Sequence, residues 1–484
     1  MKAMSGVDGA FLHLETAETP MHVASLSLFD LPPRYRRDFA AAMRRQIGRR
    51  LRLVPAFTRR LAPLPLQLAN PVWVDGDDVD LDHHVQSLEL PAPGTQAQLQ
   101  ACVAGLHAQR LDRHHPLWRV VIITGLQTGQ VGCFIQVHHA VLDGQAGVLL
   151  AMALFDLQPE GTKLPRGKAL PPEHPDLAQL AALALRHDAA QYVKLLRHLP
   201  GVVSSLAGLL GLSPSRGSKA LGFGPRTVLN GPITAGRTFA AVSLPLAPLK
   251  ALAAARQVKL NDVVLALCAG LLRRHLARHG GVPRQSLVAA MPISLREAGN
   301  TEFGTQVTMS LVKLHTNIAD PLKRLRAIRD SAGAVKAMAQ KARGVLPTDF
   351  PSIGEPWLLQ GLAALYGRSG LAANVPPLAN VVISNVPGPQ VPLYAAGARM
   401  ATYWPLSIVE HGVGLNITVM SYAGALGFGF TAASAAVPDA SALVTALHAT
   451  LDELVAKSAA AHPGEAPCAS ESRKRSRTTN TASA

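Results

Sequence analysis

Apolar and polar positions follow two different spacings along the first 160 residues, which predicts a mixture of strands and helices. Residues 23–29 and 131–137 are short, largely apolar runs that are typical of strands. Residues 38–53 and 97–110 carry apolar side chains at helical spacing instead. This part of the chain therefore alternates strand and helix.

The second half resumes the mixture after an irregular stretch. A segment rich in Pro and Lys at 158–176 and one rich in Gly, Ser and Pro at 208–232 flank an amphipathic stretch at 177–199. Beyond them we predict helices at 260–278, 321–339 and 440–456, and strands at 286–292, 307–314, 380–384, 415–421 and 424–431.

The pattern predicts an α/β protein of two similarly sized halves, although no sequence repeat relates them. We assign residues 1–160 to the first domain, 161–225 to a linker with its own helix, 226–456 to the second domain, and 457–484 to a disordered basic tail. Because pockets commonly lie at domain interfaces, we expect the functional site between the halves.

Composition excludes several classes of protein. The 484 residues are 48% hydrophobic and only 16% charged, so the chain can bury a large core and is not a disordered, nucleic-acid-coating protein. The four cysteines form no disulfide framework, which suits a reducing compartment. We find neither a signal-peptide pattern nor a run of about 20 apolar residues, so we predict a protein that is neither secreted nor integral to a membrane.

Positive charge is concentrated in one segment. The formal net charge is +16, and residues 34–60 hold ten arginines against the single acid Asp38. Phe39, Met43, Ile47 and Leu51 recur every four residues there, which leaves most of the arginines facing outward. The segment is either a solvated helix face or a binding surface for phosphates of lipid head groups or of coenzyme A.

Candidate chemistry is concentrated at 136–144, where a strand ends in His138 and His139 and a short turn leads to Asp143 and Gly144 at the start of a helix. An imidazole at a rigid strand end, with an ordinary pKa near 6.5, can take a proton from a hydroxyl at neutral pH. Adjacent strand residues point to opposite faces, so one histidine of the pair can face a given substrate. Asp143 is placed to cap the helix and hold the turn.

Two other interpretations of these histidines stay open on the residues alone. His138, His139 and Asp143 could be three metal ligands, but the separated His pair of a helical zinc site is lacking, and no other Cys/His cluster is close in sequence. The histidines could also be buried residues that are hydrogen-bonded within the core.

An ordered set of motifs accompanies 138–144. It comprises Ser5-Gly6-Val7-Asp8 with Phe11-Leu12, Pro20-Met21-His22-Val23, Pro116-Leu117-Trp118, Asn261-Asp262, Ser384-Asn385-Val386-Pro387-Gly388-Pro389, Ser421-Tyr422 and Val437-Pro438-Asp439. With this set the chain resembles the bacterial wax ester synthase/diacylglycerol acyltransferase family, within the coenzyme-A-dependent acyltransferases that share the HHxxxDG motif. The resemblance runs from about residue 4 to 454. It implies two chloramphenicol-acetyltransferase-like domains, each a mixed sheet flanked by helices, with the active-site tunnel at their interface.

The resemblance also implies an activity. His139 is the expected general base, which deprotonates a fatty alcohol or diacylglycerol so that the hydroxyl attacks a long-chain acyl-CoA directly, without an acyl-enzyme. No G-x-S-x-G elbow is present, which agrees with the absence of a serine acyl-enzyme. His138 and Asp143 are expected to orient the base, and Gly144 to open the following helix. No cofactor or metal is expected, since acyl-CoA is a substrate.

The remaining motifs allow two interpretations each. Asn261 and Asp262 either cap a helix or place donors toward the tetrahedral oxyanion. Pro116, Leu117 and Trp118 form either a wall of the acyl channel or core packing. Ser384 and Asn385 either face the interdomain channel or belong to a structural turn. His83 and His84 are expected to be structural.

Three positions depart from the family pattern: Arg119 replaces a Glu, Thr305 replaces an Asn, and Gly427 replaces an Asp. They bear on substrate preference and turnover rather than on the base. A lipid-binding protein with a degenerate acyltransferase fold is the alternative function.

Apolar substrates imply a cytoplasmic enzyme that is peripherally associated with an anionic membrane surface or a lipid inclusion. We expect the helix at 177–199 and the arginine-rich segment to dock there, or else the helix to pack across the domain junction. A nucleic-acid partner is not expected, because no recognition fold or aromatic platform accompanies the charge.

Overall fold

The computed structural model describes residues 1–76, 79–142, 144–162, 175–209, 223–294, 307–342, 351–368 and 376–460. The greater part of the predicted tail, 461–484, lies outside these ranges, as do Asp143, Thr305 and two parts of the predicted linker, 163–174 and 210–222. Among the described residues, no helix is both long and apolar enough to cross a membrane.

The first half and the linker contain short strands between amphipathic helices. The helices are α1 (Gly6–Leu14), α2 (Phe39–Arg50), α3 (Pro55–Thr58), α4 (Leu81–His84), α5 (Gln96–His107), α6 (Gly144–Leu154) and, in the linker, α7 (Leu177–Leu209). The strands are β1 (Lys2–Ala3), β2 (His22–Asp30), β3 (Arg59–Ala62), β4 (Val72–Asp75), β5 (Val85–Glu89), β6 (Trp118–Thr124) and β7 (Val131–His138).

The second half follows the same plan. Its helices are α8 (Leu246–Ala255), α9 (Leu260–Arg278), α10 (Pro321–Ala342), α11 (Glu355–Arg368) and α12 (Ser441–Ala460). Its strands are β8 (Arg237–Pro245), β9 (Val288–Ser294), β10 (Val307–Lys313), β11 (Val381–Val386), β12 (Tyr394–Ala395), β13 (Ala398–Leu406), β14 (Leu415–Tyr422) and β15 (Ala425–Ala433).

Local capping explains where several helices begin. The side chain of Ser5 accepts a hydrogen bond from the amide of Asp8 at 3.1 Å, and α1 starts at the next residue after Ser5. Asp38 caps α2 in the same way through the amide of Ala41. Each cap satisfies a backbone N–H that has no partner inside its helix.

Two six-stranded sheets organise the molecule, with strand orders β12-β13-β2-β7-β6-β5 and β10-β9-β11-β14-β15-β8. Both contain parallel and antiparallel pairs, since β5 runs parallel to β6 and β11 runs parallel to β9 and β14. Strand β7 lies inside the first sheet between β2 and β6, and all of its residues are buried. The predicted α/β class with mixed sheets is confirmed.

One hairpin of the second half belongs to the first sheet. Strand β13 lies within the range predicted for the second domain, 226–456, but it pairs antiparallel with β2 from Arg399↔Asp30 to Leu406↔Ala24. The two halves therefore share a sheet. Strand β13 also contacts β14 and β15, so it joins the two sheets next to β2.

Two glycines permit the close approach of β15 to β13. A Cβ atom at Gly427 would lie 2.5 Å from the carbonyl oxygen of Tyr403, and one at Gly429 would overlap the carbonyl oxygen of Pro405. The junction is also held by the indole N–H of Trp404, which donates to the hydroxyl of Ser243 at 2.9 Å.

Predicted element boundaries shift by a few residues. The strand expected at 286–292 is Val288–Ser294, and the helix expected at 177–199 extends to Leu209. The tail was expected to begin at 457, but α12 continues to Ala460 because Leu451 and Leu454 still pack against the core of the second half.

The arginine-rich segment has a divided role. Arg50 is buried, where it forms an ion pair with Asp156 and donates to the carbonyl oxygen of Leu154 at 2.7 Å. Arg44 and Arg59 pair with Asp82 and Asp75. The other seven arginines are exposed: Arg34, Arg36, Arg37, Arg45, Arg49, Arg52 and Arg60.

Candidate active site

The end of β7 sends its two histidines to different environments. His138 pairs with His22 in the antiparallel register of β2 and is buried. His139 follows the strand, and its amide donates to the carbonyl oxygen of Met21 at 2.8 Å. The His139 ring stacks on Phe11 of α1, with ring centroids 4.1 Å apart. Of the two, His139 is the one that lines a cavity.

His139 lines a cavity of about 420 Å³ between the two halves. Residues of α1, β2, β7 and α6 form one side of it, and residues of β11, β13 and β14 form the other. The walls are largely apolar, and the ionisable side chains on them are His139, Glu410 and Tyr403. This cavity can enclose an apolar substrate next to an imidazole, which is the arrangement expected for a base in a water-poor site.

Behind His139 lies a buried cluster around Glu15. One carboxylate oxygen of Glu15 lies 3.1 Å from Nε2 of His22 and 3.6 Å from Nε2 of His138. The same oxygen accepts from the amide of Met21 at 3.3 Å, and the other oxygen accepts from the Arg113 guanidinium at 2.7 Å. Since the carbonyl of Met21 accepts the amide of His139, Glu15 fixes the backbone that carries the proposed base.

Hydrogen bonds on the far side of each ring determine which nitrogen carries the proton. The amide of Ala140 donates to Nδ1 of His138 at 3.1 Å, so the proton of the neutral ring is on Nε2, facing Glu15. Gln136 lies 2.8 Å from Nδ1 of His22 through its side-chain nitrogen. Arg119 donates to the amide oxygen of Gln136 at 2.8 Å and so fixes the orientation of that amide. His22 therefore also presents an Nε2 proton to Glu15.

The electrostatics of the cluster agree with two neutral imidazoles and an ionised carboxylate. Burial lowers the pKa of His138 to about 4, although Glu15 opposes this change. Burial likewise lowers the pKa of His22. Burial alone would raise the pKa of Glu15, but the hydrogen bonds from His138 and His22 hold it well below its usual range.

Glu15, His22 and His138 bring possible metal-ligand atoms within 4.8 Å of one another. A neutral imidazole binds a metal through a nitrogen that carries no proton. The amide of Ala140 occupies the lone pair of His138 Nδ1, so Nε2 carries the proton, and Arg113 already neutralises Glu15. The donor set fits a hydrogen-bonded cluster and not a metal centre.

Of the residues expected to support the site, Gly144 begins α6 directly after the turn, while Asp143 lies outside the described residues. Asp262 accepts the amide of Lys259 at 2.9 Å and caps α9. Asn261 instead accepts from the side-chain amide of Asn385 at 3.1 Å.

Ser384 and Asn385 line the cavity, as the channel interpretation requires. Through Asn385, the adjacent Asn261 reaches the edge of the site. The pair Asn261–Asn385 thus brings an amide from each of two elements to one wall of the cavity.

The channel wall proposed at 116–118 is not part of the cavity lining. Trp118 is 1% exposed and stacks between Phe57 and His84, with ring centroids 4.0 and 4.2 Å away. Its indole N–H donates to the carbonyl of Phe57 at 3.0 Å. Leu117 is buried, and its carbonyl accepts the amide of His138 at 3.0 Å. The residues at 116–118 therefore belong to core packing, because they are buried and none of them lines the cavity.

His84 has the structural role expected of it. Its Nδ1 lies 2.8 Å from the carbonyl oxygen of Trp118, and burial lowers the pKa of its imidazole to about 4. His83 stacks on His115, with ring centroids 4.0 Å apart.

The departures at Arg119 and Gly427 both have a structural use. Arg119 orients Gln136 in the cluster around Glu15. Gly427 lies where β15 crosses β13, and an Asp side chain would not fit there without a backbone shift. Thr305 lies outside the described residues.

Sequence reasoning missed Glu15 and the roles of Gln136 and His22. Glu15 follows α1, more than a hundred residues before His138, and only the pairing of β2 with β7 brings them together. The one signal was that His22 belongs to a motif of the ordered set.

The fold and the site define a class of protein: a two-domain acyltransferase with a histidine at the interface of the halves. A solved wax ester synthase/diacylglycerol acyltransferase from Marinobacter aquaeolei VT8 is 28% identical, with a TM-score of 0.68 over 95% of this chain and 100% of that one. The starter condensation domain of rhizomide synthetase shares the fold at 15% identity, with a TM-score of 0.56 over 95% and 94% of the two chains.

Family models identify the particular family. Residues 4–264 match the wax ester synthase/diacylglycerol acyltransferase catalytic domain, and residues 303–455 match its C-terminal domain. A putative diacylglycerol O-acyltransferase of Mycobacterium tuberculosis is 36% identical over 93% of this chain and 99% of its own. A probable diacylglycerol O-acyltransferase of the same species is 32% identical over 94% and 99%. The chain belongs to the wax ester synthase/diacylglycerol acyltransferase family, and the resemblance and enzyme class predicted from sequence are confirmed.

Proposed function

We propose that this enzyme transfers a long-chain acyl group from acyl-CoA directly to the hydroxyl of a fatty alcohol or a diacylglycerol, with His139 as general base. The observation that carries the proposal is the position of His139 on the wall of a largely apolar cavity between the halves, with its backbone fixed by Met21. The transfer of an apolar acyl chain and an apolar acceptor from water into such a cavity lowers the free energy.

In the proposed reaction the imidazole of His139 takes the proton of the acceptor hydroxyl, and the alkoxide oxygen bonds to the thioester carbonyl carbon. The tetrahedral intermediate then expels the CoA thiolate, which receives the proton from the imidazolium. No bond forms between enzyme and acyl group. The Phe11 ring, stacked on His139, keeps the imidazole in place and presents a π face to the imidazolium.

The oxyanion of this intermediate needs a hydrogen-bond donor. Asn385 lines the cavity, and one proton of its side-chain amide is directed to Asn261. The second proton of that amide is the donor we propose for the oxyanion. Removal of one such donor typically costs about 100- to 1,000-fold in kcat.

The phosphates of acyl-CoA require cations, and the exposed arginines of residues 34–60 are the group we propose for them. We further propose that the enzyme acts in the cytoplasm at an anionic membrane surface or a lipid inclusion, where its apolar acceptors are found. No cofactor takes part in the steps proposed, since the thioester is already activated.

The test is an assay of purified protein with hexadecanoyl-CoA and either hexadecanol or diacylglycerol, which follows thiol release and ester formation. His139→Ala should lower kcat by about 100- to 10,000-fold, the range typical of a lost general base. The matched control is His448→Ala, which removes an exposed histidine on α12 and should leave kcat unchanged.

Equal ester formation by wild type and His139→Ala would refute the role of His139. If neither protein forms ester but both bind acyl-CoA, the chain is a lipid-binding protein with an inactive acyltransferase fold. A radiolabelled acyl group that stays on the protein after denaturation would refute direct transfer.

A further inference from the structure

Three segments outside the active site have exposed apolar side chains and buried acidic side chains. They are the turn at Pro65–Gln67 with its neighbours, the helix α7, and the helix α11 with the residues before it. Their exposed apolar side chains are Leu66, Leu68, Leu185, Tyr192, Val193, Leu196, Ile353, Trp357, Leu358, Leu362, Leu365 and Tyr366. We call the part on residues 66–68 and 353–366 the α11 face.

Hydrogen bonds join these segments into one surface. The amide of Gly354 donates to the carbonyl oxygen of Leu68 at 2.8 Å, and the side chain of Gln360 donates to that of Gln67 at 3.4 Å. Asp188 of α7 accepts from the amide of Ser352 at 2.9 Å. The exposed apolar residues therefore belong to neighbouring elements whose relative positions are fixed.

The apolar exposure of α11 is not a consequence of missing core contacts. The buried side of the helix carries Glu355, whose carboxylate accepts from Asn70 at 2.9 Å, and this Asn70 also contacts His13 of α1 at 2.8 Å. On the other side Trp357 is 54% exposed and Leu358 is 63% exposed. An aromatic and several leucines on the solvent side of a packed helix indicate an interaction surface.

Charge indicates which partner fits this surface. Within residues 59–68, 177–197 and 351–368 the acids are Asp188 and Glu355, and both are buried. The exposed Asp176 caps the start of α7 by accepting from the amide of Gln179. Arg60, Arg186, Lys194 and Arg197 are exposed on the same segments. Exposed leucines and a tryptophan beside an excess of exposed cations match an anionic lipid surface.

A second copy of this chain fits less well. A symmetric contact through the α11 face would place the α7 cations beside it in both copies near one another. Asp188 and Glu355 are buried and cannot pair with them. Like charges at an interface oppose association.

A second cavity places this surface near the active site. About 610 Å³ in volume, it is lined by Leu64, Gln67, Leu180 and Gln360 at the junction of the three segments, and it reaches Leu12 on α1. The neighbouring Phe11 is the residue stacked on His139. The surface thus adjoins the helix that separates this cavity from the catalytic one.

From these observations we propose that the α11 face docks on an anionic lipid surface, with Trp357, Leu358 and Leu362 in the head-group region and the exposed cations of α7 beside it. This refines the proposed function by naming the docking surface. Lipid binding can be measured without turnover, so its failure is distinguishable from failure of the acyltransferase proposal.

The tryptophans provide a local reporter. Trp73, Trp118 and Trp404 are buried, whereas Trp357 is exposed. The full chain is mixed with vesicles of phosphatidylcholine alone or with one quarter phosphatidylglycerol, and both sedimentation and tryptophan emission are recorded. We expect binding to the anionic vesicles with a blue shift of emission, and quenching by bromine-labelled phosphatidylcholine. Trp357→Phe should abolish the shift and the quenching while the protein still sediments.

The double variant Leu358→Gln, Leu362→Gln removes apolar area but keeps helix propensity. We expect at least a tenfold lower affinity for anionic vesicles. The control Val455→Gln changes an exposed residue of similar character on α12 and should bind as wild type does. Thiol release by the double variant without vesicles, with a water-soluble short-chain alcohol, should equal that of wild type.

Wild-type affinity of the double variant, or vesicle binding without any change in Trp357 emission, would overturn the proposal. So would equal binding to neutral and anionic vesicles, since the cations would then play no part. If light scattering shows a dimer that the double variant loses, the α11 face is a self-association surface and the proposal is also overturned.

Discussion

Substitution of Glu15 tests how the structure holds the proposed base. Glu15 does not line the catalytic cavity, but it contacts His22, His138 and the amide of Met21, whose carbonyl accepts the amide of His139. The substitution Glu15→Gln keeps the size of the side chain and removes its charge. In the folded protein this carboxylate accepts from the amide of Met21 and from Arg113, and it lies 3.1 Å from Nε2 of His22 and 3.6 Å from Nε2 of His138.

The cost can be worked from these contacts. Hydrogen bonds to a charged group contribute about 1.5–3 kcal/mol each, and neutral ones about 0.5–1.5 kcal/mol. A glutamine oxygen directed to the two imidazoles keeps these polar contacts but removes their charge, which costs about 1 kcal/mol for each. Its NH₂ group then faces Arg113, but that guanidinium is 40% exposed, so the loss of the ion pair costs at most about 1 kcal/mol. We expect the free energy of unfolding to fall by about 2–3 kcal/mol.

Activity should fall as well. A displacement of Met21 moves the backbone of His139, and each 1.4 kcal/mol lost from the transition state lowers the rate tenfold. We expect kcat to fall about 10- to 100-fold with little change in KM, and Glu15→Asp to recover part of it.

Urea unfolding and steady-state thiol release measure the two effects. Glu18→Gln is the control, since Glu18 is exposed three residues away. The reasoning would be refuted by a Glu15→Gln protein with wild-type kcat and unfolding free energy. A loss of stability with unchanged kcat would restrict Glu15 to folding.

Three further outcomes are expected. Gly429→Ala should lower the midpoint of thermal unfolding markedly, because the added Cβ would overlap the carbonyl oxygen of Pro405. The control Gly105→Ala on α5 has open space around it and should leave the midpoint unchanged. Calorimetry of both variants measures the difference. Acid should destabilise the fold between about pH 6.5 and 4. Burial lowers the pKa of His138 to about 4 and that of His107 to about 3, so the unfolded chain binds more protons than the folded chain in this range. A constant free energy of unfolding from pH 7 to 4 would contradict this prediction. Asn385→Ala should lower kcat about 100-fold or more if its amide stabilises the oxyanion, and an unchanged kcat would exclude that role.

Several features of the fold could be predicted from sequence because they depend on neighbours along the chain. The apolar run of β7 and the turn after it place His138 and His139 at a strand end, independently of distant parts of the chain. The four-residue spacing of Phe39, Met43 and Ile47 produces α2 because those residues share one helical face.

The pattern of residues along the sequence could not show which side chains are structural and which are functional, because that depends on whether they are buried in the folded protein. Trp118 follows a motif that allows a channel wall, and its stacking between Phe57 and His84 is visible only after β6 pairs with its neighbours. Arg50 is likewise one of ten arginines in its segment of the sequence, but in the structure it is buried and pairs with Asp156, about a hundred residues further along the chain.

The sequence by itself determined the α/β class and the family, and it singled out the histidine expected to act as base, because motifs and periodicity are local. Tertiary structure alone decided that β13 completes the first sheet, that Glu15 lies behind His138, and that α11 turns Trp357 and Leu358 to solvent. Each of these depends on contacts between residues far apart in the chain, whose pairing is set by the packing of the whole molecule and not by the order of nearby residues.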